Sequence, residues 1–425
     1  MTVLVFCFLL LVLLFIGMPI GFVLLTIGSL GLLTVASLDV LVSFISNTAY
    51  RTVNSFTYTT IPLFILMAQF ISKSNIADDL FDCLKKWIGH LPGGIGIATI
   101  FSSAGFGALS GSSLAATTIM SKICIPQLLK VKYSEKFSAG LVATTTGTLA
   151  ALIPPSILLV IYAIQTDTSV GKLLIAGLLP GILLAILNSI YVVIIALKDK
   201  NVVNKATWKE RFISLKYVWP MLLLVLIVLI IIYMGIGTST EAAAFGAFGA
   251  LVIGFIIKRL NYQSLIESVI ETIKQTAMIF FIMLGAHIFS YFITLTRVGN
   301  QIVSMIEKSG LSSWSILLLI ILLYLILGLF LDGLSSMLLT LPLVLPVVIG
   351  LGYDPIWFGV LVVLLLEIGL VTPPVGINLF ITSKNSGIPV EKVMFGSIPF
   401  LIILLVTILI IMIFPSIVLY LPSSM

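Results

Sequence analysis

The chain has 425 residues, 60% hydrophobic and 9% charged, with 22 Lys+Arg against 16 Asp+Glu and a mean hydropathy of +1.27. Soluble domains carry roughly 25% charged residues, so a water-soluble fold is excluded. The basic residues lie in loops and form no clustered face with aromatic platforms, which excludes nucleic acid as a partner.

The first segment, Met1–Ile16, lacks a basic n-region and an A-x-A-like cleavage site, and is expected to be a retained membrane helix. Cys7, Cys83 and Cys124 are odd in number and form no CxxC pair, so neither a disulfide framework nor a thiolate metal site is indicated. His90 falls in a loop and His287 in an apolar run, where it reads as a packed polar residue; without partners at ligand spacing they make no transition-metal site.

Within residues 92–130 two short apolar segments, Ile95–Ala108 and Leu114–Leu129, flank Leu109-Ser-Gly-Ser-Ser113. Lys85-Lys86 before them and Lys130 after them put both ends on the basic side, so a re-entrant hairpin with a polar tip at membrane depth is expected. Irregular backbone is tolerated there only when buried in protein or lining a cavity. Residues 137–165 follow as a helix interrupted by Pro154-Pro155. Residues 198–217 form a linker; the stretch Leu197–Lys216 carries six Lys or Arg and two acids and is cytoplasmic by the positive-inside rule. Beyond it a helix runs out to Gly235-Ile-Gly237, the next returns to Lys258-Arg259, and a third leaves toward Arg297. A second hairpin is expected over 313–350, with Ser315–Phe330 and Met337–Ile349 flanking Leu331-Asp-Gly-Leu-Ser-Ser336. A second broken helix, 356–383, carries Pro373-Pro374, and the apolar run Phe400–Phe414 closes the chain.

The order of these elements repeats. Gly17 aligns with Gly237, Gly89 with Gly310, Pro126 with Pro346, Tyr133 with Tyr353, Pro154-Pro155 with Pro373-Pro374, Lys172 with Lys392 and Pro180 with Pro399. Residues 1–197 and 218–425 are therefore expected to be two copies of one unit. The loop after Pro126 is basic and its counterpart, Gly350–Pro355, has one acid and no base, so the copies should lie upside down relative to each other. Such inverted repeats place a ligand site near the midplane of many secondary transporters.

Proline removes an amide donor and clashes one turn back, so paired prolines unwind a helix and leave carbonyl oxygens unpaired. A hard cation such as Na+ accepts carbonyl and hydroxyl ligands, and Ser/Thr gather at both breaks and both tips. Restarting helix N-termini suit a carboxylate. Acids in apolar runs need reasons, because a charge at the bilayer centre costs roughly 2.5–3.5 kcal/mol on insertion scales. Thr238-Ser-Thr-Glu241 has the form of a capping box. Asp332 stands at the second tip, as either a site residue or a cap; Glu367 precedes the second break, as either an interface or a site residue.

At these motifs the chain resembles the large membrane (M) subunit of the tripartite ATP-independent periplasmic (TRAP) transporters. The resemblance runs through Ile61-Pro-Leu-Phe64, Gly89-His-Leu-Pro-Gly-Gly94, Leu109–Ser113, Ile153-Pro-Pro-Ser156, Thr240-Glu-Ala-Ala-Ala244, Leu331-Asp332, Ile368–Gly376 and Phe414-Pro415. It implies an all-α, multi-pass, elevator-type carrier in a bacterial or archaeal inner membrane. It also implies a small four-helix membrane subunit and a periplasmic substrate-binding protein as partners. Sodium-coupled uptake of a carboxylate such as a C4-dicarboxylate or sugar acid is the implied activity, with Na+ as coupling ion, no cofactor and no enzymatic step. The family's sodium-binding positions fall on Ser110, Ser112, Ser113, Gly147, Ala150 and Pro155 in the first copy. In the second they fall on Gly328, Asp332, Ser335, Ser336, Gly369, Thr372 and Val375. The first break, Thr144–Ala150, lacks the Gly-x-x-Thr arrangement of Gly369–Thr372, so the two sites should differ in affinity. A proton-coupled carrier of the same architecture is the alternative, and a channel a more distant one.

Overall fold

A computed structural model describes residues 2–199, 204–298, 301, 304, 310–373 and 376–425, and the regular structure among them is entirely helical. Linker residues 200–203, and Pro374 and Val375 at the second break, lie outside the described residues. Hydrocarbon offers no hydrogen-bonding partner to a bare backbone, so helices satisfying their own amides are what this composition can form in a membrane.

In chain order the helices are α1 (Thr2–Phe15), α2 (Ile20–Val35), α3 (Leu38–Asn54), α4 (Thr60–Lys73), α5 (Ile76–Ile88), α6 (Gly94–Ser110), α7 (Ser113–Lys130), α8 (Glu135–Leu152), α9 (Ile157–Gln165), α10 (Val170–Ala176) and α11 (Leu178–Asp199). There follow α12 (Trp208–Tyr233), α13 (Ser239–Ile256), α14 (Tyr262–Leu295), α15 (Ser313–Gly328), α16 (Gly333–Gly350), α17 (Pro355–Val371), α18 (Ile377–Ser386), α19 (Val390–Ile413) and α20 (Ser416–Ser423). Among the described residues five helices are long and apolar enough to cross a membrane, or eight if each bent pair is one span. The pairs α3 and α4 (59°) and α8 and α9 (45°) are bent. The chain is an all-α, multi-pass membrane protein.

Polar side chains set many of the boundaries by accepting an orphan amide of the first turn. Ser112, Ser134, Ser156, Thr207, Thr238, Asn261, Ser312, Asp332 and Asp354 all do so. The capping box expected at Thr238 is complete: Glu241 N donates to Thr238 Oγ1 at 3.2 Å and Thr238 N donates to Glu241 Oε2 at 2.7 Å. Glu241 is thereby accounted for as structural.

Helix α2 packs along α14, and α13 along α4. Small residues permit the first contact: a Cβ on Gly28 would meet the Phe289 backbone nitrogen at 2.7 Å, and one on Gly285 would meet the Gly21 carbonyl oxygen at 2.7 Å. Thr60 Oγ1 and Thr240 Oγ1 hydrogen-bond at 2.6 Å across the second. At one end of this group Lys73 pairs with Glu267 at 2.6 Å and Arg259 with Asp79. His287 is satisfied by the Tyr58 hydroxyl at 3.1 Å, as a packed polar residue would be.

Two helices are enclosed on all sides. Ser138–Leu152 of α8 and Trp357–Val371 of α17 are buried throughout, as expected of helices without a polar face at the centre of a bundle. Around them lie α6, α7, α15, α16, α18 and α19. The outward faces of α11 and α12 expose Ile186, Ile190, Leu222 and Leu226, an apolar surface.

Candidate functional site

The first hairpin turns where α6 ends at Ser110. Gly111 takes the left-handed conformation (φ 59°) that costs a side-chain-bearing residue strain, and Ser112 is extended, its Oγ accepting from Ala115 N at 3.4 Å. A Cβ on Gly111 would stand 2.5 Å from the Pro155 carbonyl oxygen, so glycine is demanded by both conformation and contact. The Gly111 carbonyl accepts from Ile157 N at 3.2 Å, and Gly107 lies against Ala150. The first tip is thus fastened to the first break, where α8 stops at Leu152, Pro154-Pro155 is cis, and Ser156 caps α9.

The second tip is built alike. Helix α15 ends at Gly328, which lies against Gly369; a Cβ on Gly328 would be 2.8 Å from the Gly369 Cα. Asp332 caps α16, accepting from Ser335 N at 3.2 Å and from the Ser335 hydroxyl. Helix α17 stops at Val371. The Thr372 hydroxyl donates to the Ile368 carbonyl at 2.6 Å, Thr372 N donates to Gly369 O at 3.4 Å, and α18 restarts after Gly376. Pro373 lies in the turn between them.

Each second arm also begins against the broken helix of the other half. Ser113, the first residue of α7, donates its hydroxyl to Glu367 Oε2 at 2.8 Å and accepts from Asn378 Nδ2 at 3.1 Å. Gly333, the first residue of α16, lies beside Leu158 of α9 and Leu366 of α17. Gly147 gives α8 its approach to the first of these clusters: a Cβ there would strike Ser113 Oγ and come 3.2 Å from Glu367 Oε2.

Of the residues expected from sequence, Ser110, Ser112, Ser113, Gly147, Ala150 and Pro155 gather around the first tip and break, and Gly328, Asp332, Ser335, Ser336, Gly369 and Thr372 around the second. Ser110 Oγ and Ser336 Oγ among them, and Thr144 Oγ1, Glu367 Oε1 and Asn378 Oδ1 beside them in α8, α17 and α18, are buried without a hydrogen-bond partner among the described residues. Burying such groups unpaired is costly. The available ligand set is neutral hydroxyl and carbonyl oxygen with two carboxyl groups, Asp332 and Glu367, a chemistry that fits a hard cation rather than a transition metal. No group of three His, Cys, Asp or Glu side chains suited to a metal occurs among the described residues. Two participants were not assigned from sequence. Asn378 was unsuspected and Glu367 undecided, although an acid before a proline pair and an asparagine after it, both in apolar surroundings, were available signals.

A polytopic helical protein with hairpin tips seated on interrupted helices is a membrane solute transporter in build. The chain belongs to the family described as the tripartite ATP-independent periplasmic transporter, DctM component, which matches residues 7–417. It is a transport component, not an enzyme. It is 37% identical over 377 residues, covering 88% of each chain, to the C4-dicarboxylate TRAP transporter large permease protein of Pseudomonas aeruginosa. It is 32% identical to the sialic acid TRAP transporter large permease protein of Vibrio cholerae, covering 97% of this chain and 96% of that one. In fold it is similar to the YdaH transporter of Alcanivorax borkumensis, with a TM-score of 0.66, 14% identity and 97% of each chain covered.

Proposed function

We propose that this chain takes up a small organic anion across the inner membrane by sodium symport, receiving it from a periplasmic binding protein and working beside a small four-helix membrane subunit. The observation that carries sodium coupling is the presence, at both tip-and-break junctions, of buried oxygens without partners among the described residues, Ser110 Oγ and Ser336 Oγ among them. The first cation would be held among Ser110, Ser112, Ser113, Gly147, Ala150 and Pro155. The second would be held among Gly328, Asp332, Ser335, Ser336, Gly369, Thr372 and Val375. Bound there, sodium supplies positive charge beside the anion. The hydroxyls and carbonyls of the chain replace its hydration, and the tips seated on the breaks exclude water.

Corresponding contacts support an inverted repeat. Gly107 meets Ala150 as Gly328 meets Gly369, and Ser113 meets Asn378 as Gly333 meets Leu158, each position about 220 residues from its counterpart. The exchanged packing of α2 on α14 and α13 on α4 fits the same relation. On this reading residues 1–197 and 218–425 are the two units, the hairpins with α8, α9, α17 and α18 move as an elevator, and α2, α4, α13 and α14 are the scaffold. Carboxylates are the proposed substrate class, because relatives carry names for C4-dicarboxylate and sialic acid transport. The test is uptake into proteoliposomes holding this chain with its small subunit and binding protein: sodium outside should support it, and equal rates in potassium or choline would refute the proposal.

A further inference from the structure

The junction between α7, α17 and α18 contains more than the two cation sites proposed above require. Glu367, Ser113 and Asn378 are all buried, Glu367 and Asn378 completely. Asn378 Nδ2 donates to Ser113 Oγ, and Ser113 Oγ donates to Glu367 Oε2. This chain of donors settles the direction of every proton in it. Ser113 has given its only hydrogen away, Asn378 must turn its amide nitrogen toward Ser113, and what remains is Glu367 Oε1 and Asn378 Oδ1, both acceptors without a partner among the described residues.

One hydroxyl donor does not compensate a buried carboxylate. The elements packed on this cluster bring no cation to it. Lys122 and Lys130 of α7, Lys136 of α8 and Lys384 of α18 are exposed. Lys392 of α19 pairs with Glu135 of α8 at 2.7 Å, both exposed, and Asp332 caps its own helix. The fourth wall, α8, presents Gly147, onto which the cluster packs directly: a Cβ there would come within 2.5 Å of Asn378 Nδ2 and 3.2 Å of Glu367 Oε2, so α8 brings no side chain to Glu367 at this point. Acceptors unpaired among the described residues, on a carboxyl group with no protein countercharge beside it, suit one small positive ion.

We propose that Glu367, Asn378 and Ser113 form a carboxylate-bearing site for an additional alkali cation of the sodium class, adjoining the first tip-and-break site, with which it shares Ser113. The proposal rests on the sodium reading above and adds one ion to it. Because Ser113 opens the first hairpin while Glu367 and Asn378 flank the second break, this ion ties the two halves to each other.

Equilibrium binding of radioactive sodium to the detergent-purified chain tests it. Glu367→Gln keeps the shape and the acceptor for Ser113 but removes the charge, so it should bind one sodium ion fewer than wild type. Thr372→Ala, at the second break, should keep this ion. Asn378→Leu, which leaves the carboxylate in place, should weaken one class of sodium more than tenfold and serves as the deciding variant if Glu367→Gln does not fold. An unchanged sodium count and affinity in the folded Glu367→Gln protein, or failing that in Asn378→Leu, overturns the assignment, as does a proton taken up there instead of sodium. A wild-type protein that binds no sodium at all refutes the sodium reading itself, whereas wild-type binding with an unaffected variant refutes only this site.

Discussion

Gly369→Ala probes the seating of a hairpin tip on a helix break. A Cβ at this position would lie 2.7 Å from both the carbonyl carbon and the oxygen of Gly328, and still closer to its Cα. All three are backbone atoms, so no side chain can swing aside and α15 must move bodily. Overpacking of this kind costs about 1–3 kcal/mol, against about 1 kcal/mol returned by replacing glycine within a helix. A net loss near 2 kcal/mol is expected at the upper end, roughly 4 °C of thermal midpoint or more at a few degrees per kcal/mol. Gly333→Ala is the matched control: its nearest neighbour is the Leu366 Cβ at 3.5 Å, an ordinary contact. Thermal unfolding of the two purified variants, together with uptake in proteoliposomes, reads the comparison. If Gly369→Ala is as stable and as active as Gly333→Ala, the tip does not sit on the break.

Thr372→Ala removes a hydroxyl that donates to Ile368 O, a change of about 1 kcal/mol, and should raise the sodium concentration for half-maximal uptake several-fold, with Thr372→Ser restoring it. Apparent substrate affinity should worsen with it and recover at high sodium, because the coupling is reciprocal. Asp332→Asn should preserve the α16 cap and stability, whereas Asp332→Ala should lose about 1 kcal/mol; weaker sodium dependence in the Asn variant would assign the carboxylate to the ion. Cysteines at Lys86 and Lys130 should label from the cytoplasm and those at Leu311 and Tyr353 from outside, and labelling of the first two from opposite faces contradicts a re-entrant hairpin. The chain alone should show little uptake at low substrate, and robust uptake without the other subunits would contradict dependence on them.

The parts of this architecture that local chemistry determines could be read from the chain. The proline pairs end α8 and α17 because they withhold amides, the Ser/Gly stretches become tips because they cap and turn, and Thr238 with Glu241 forms its box from residues one turn apart. Contacts between distant residues could not be read in that way. Ser113, Glu367 and Asn378 belong to three helices, and no periodicity or spacing reports that they meet. The bend of 59° between α3 and α4 was equally hidden, since the corresponding stretch of the second half runs through α14 as one 34-residue helix. Asp332 was open between two roles; its bonds to Ser335 make it the cap of α16, and its role toward the ion is what Asp332→Asn tests.

The central claim is that the sodium gradient performs the work of accumulation. The direct measurement is the time course of labelled carboxylate in proteoliposomes carrying the chain with its small subunit and loaded binding protein, with sodium outside and potassium within. Accumulation above the external free concentration, collapsing when a sodium ionophore is added, is the predicted result. Equilibration to the external concentration and no further, or accumulation indifferent to the ionophore, would contradict it.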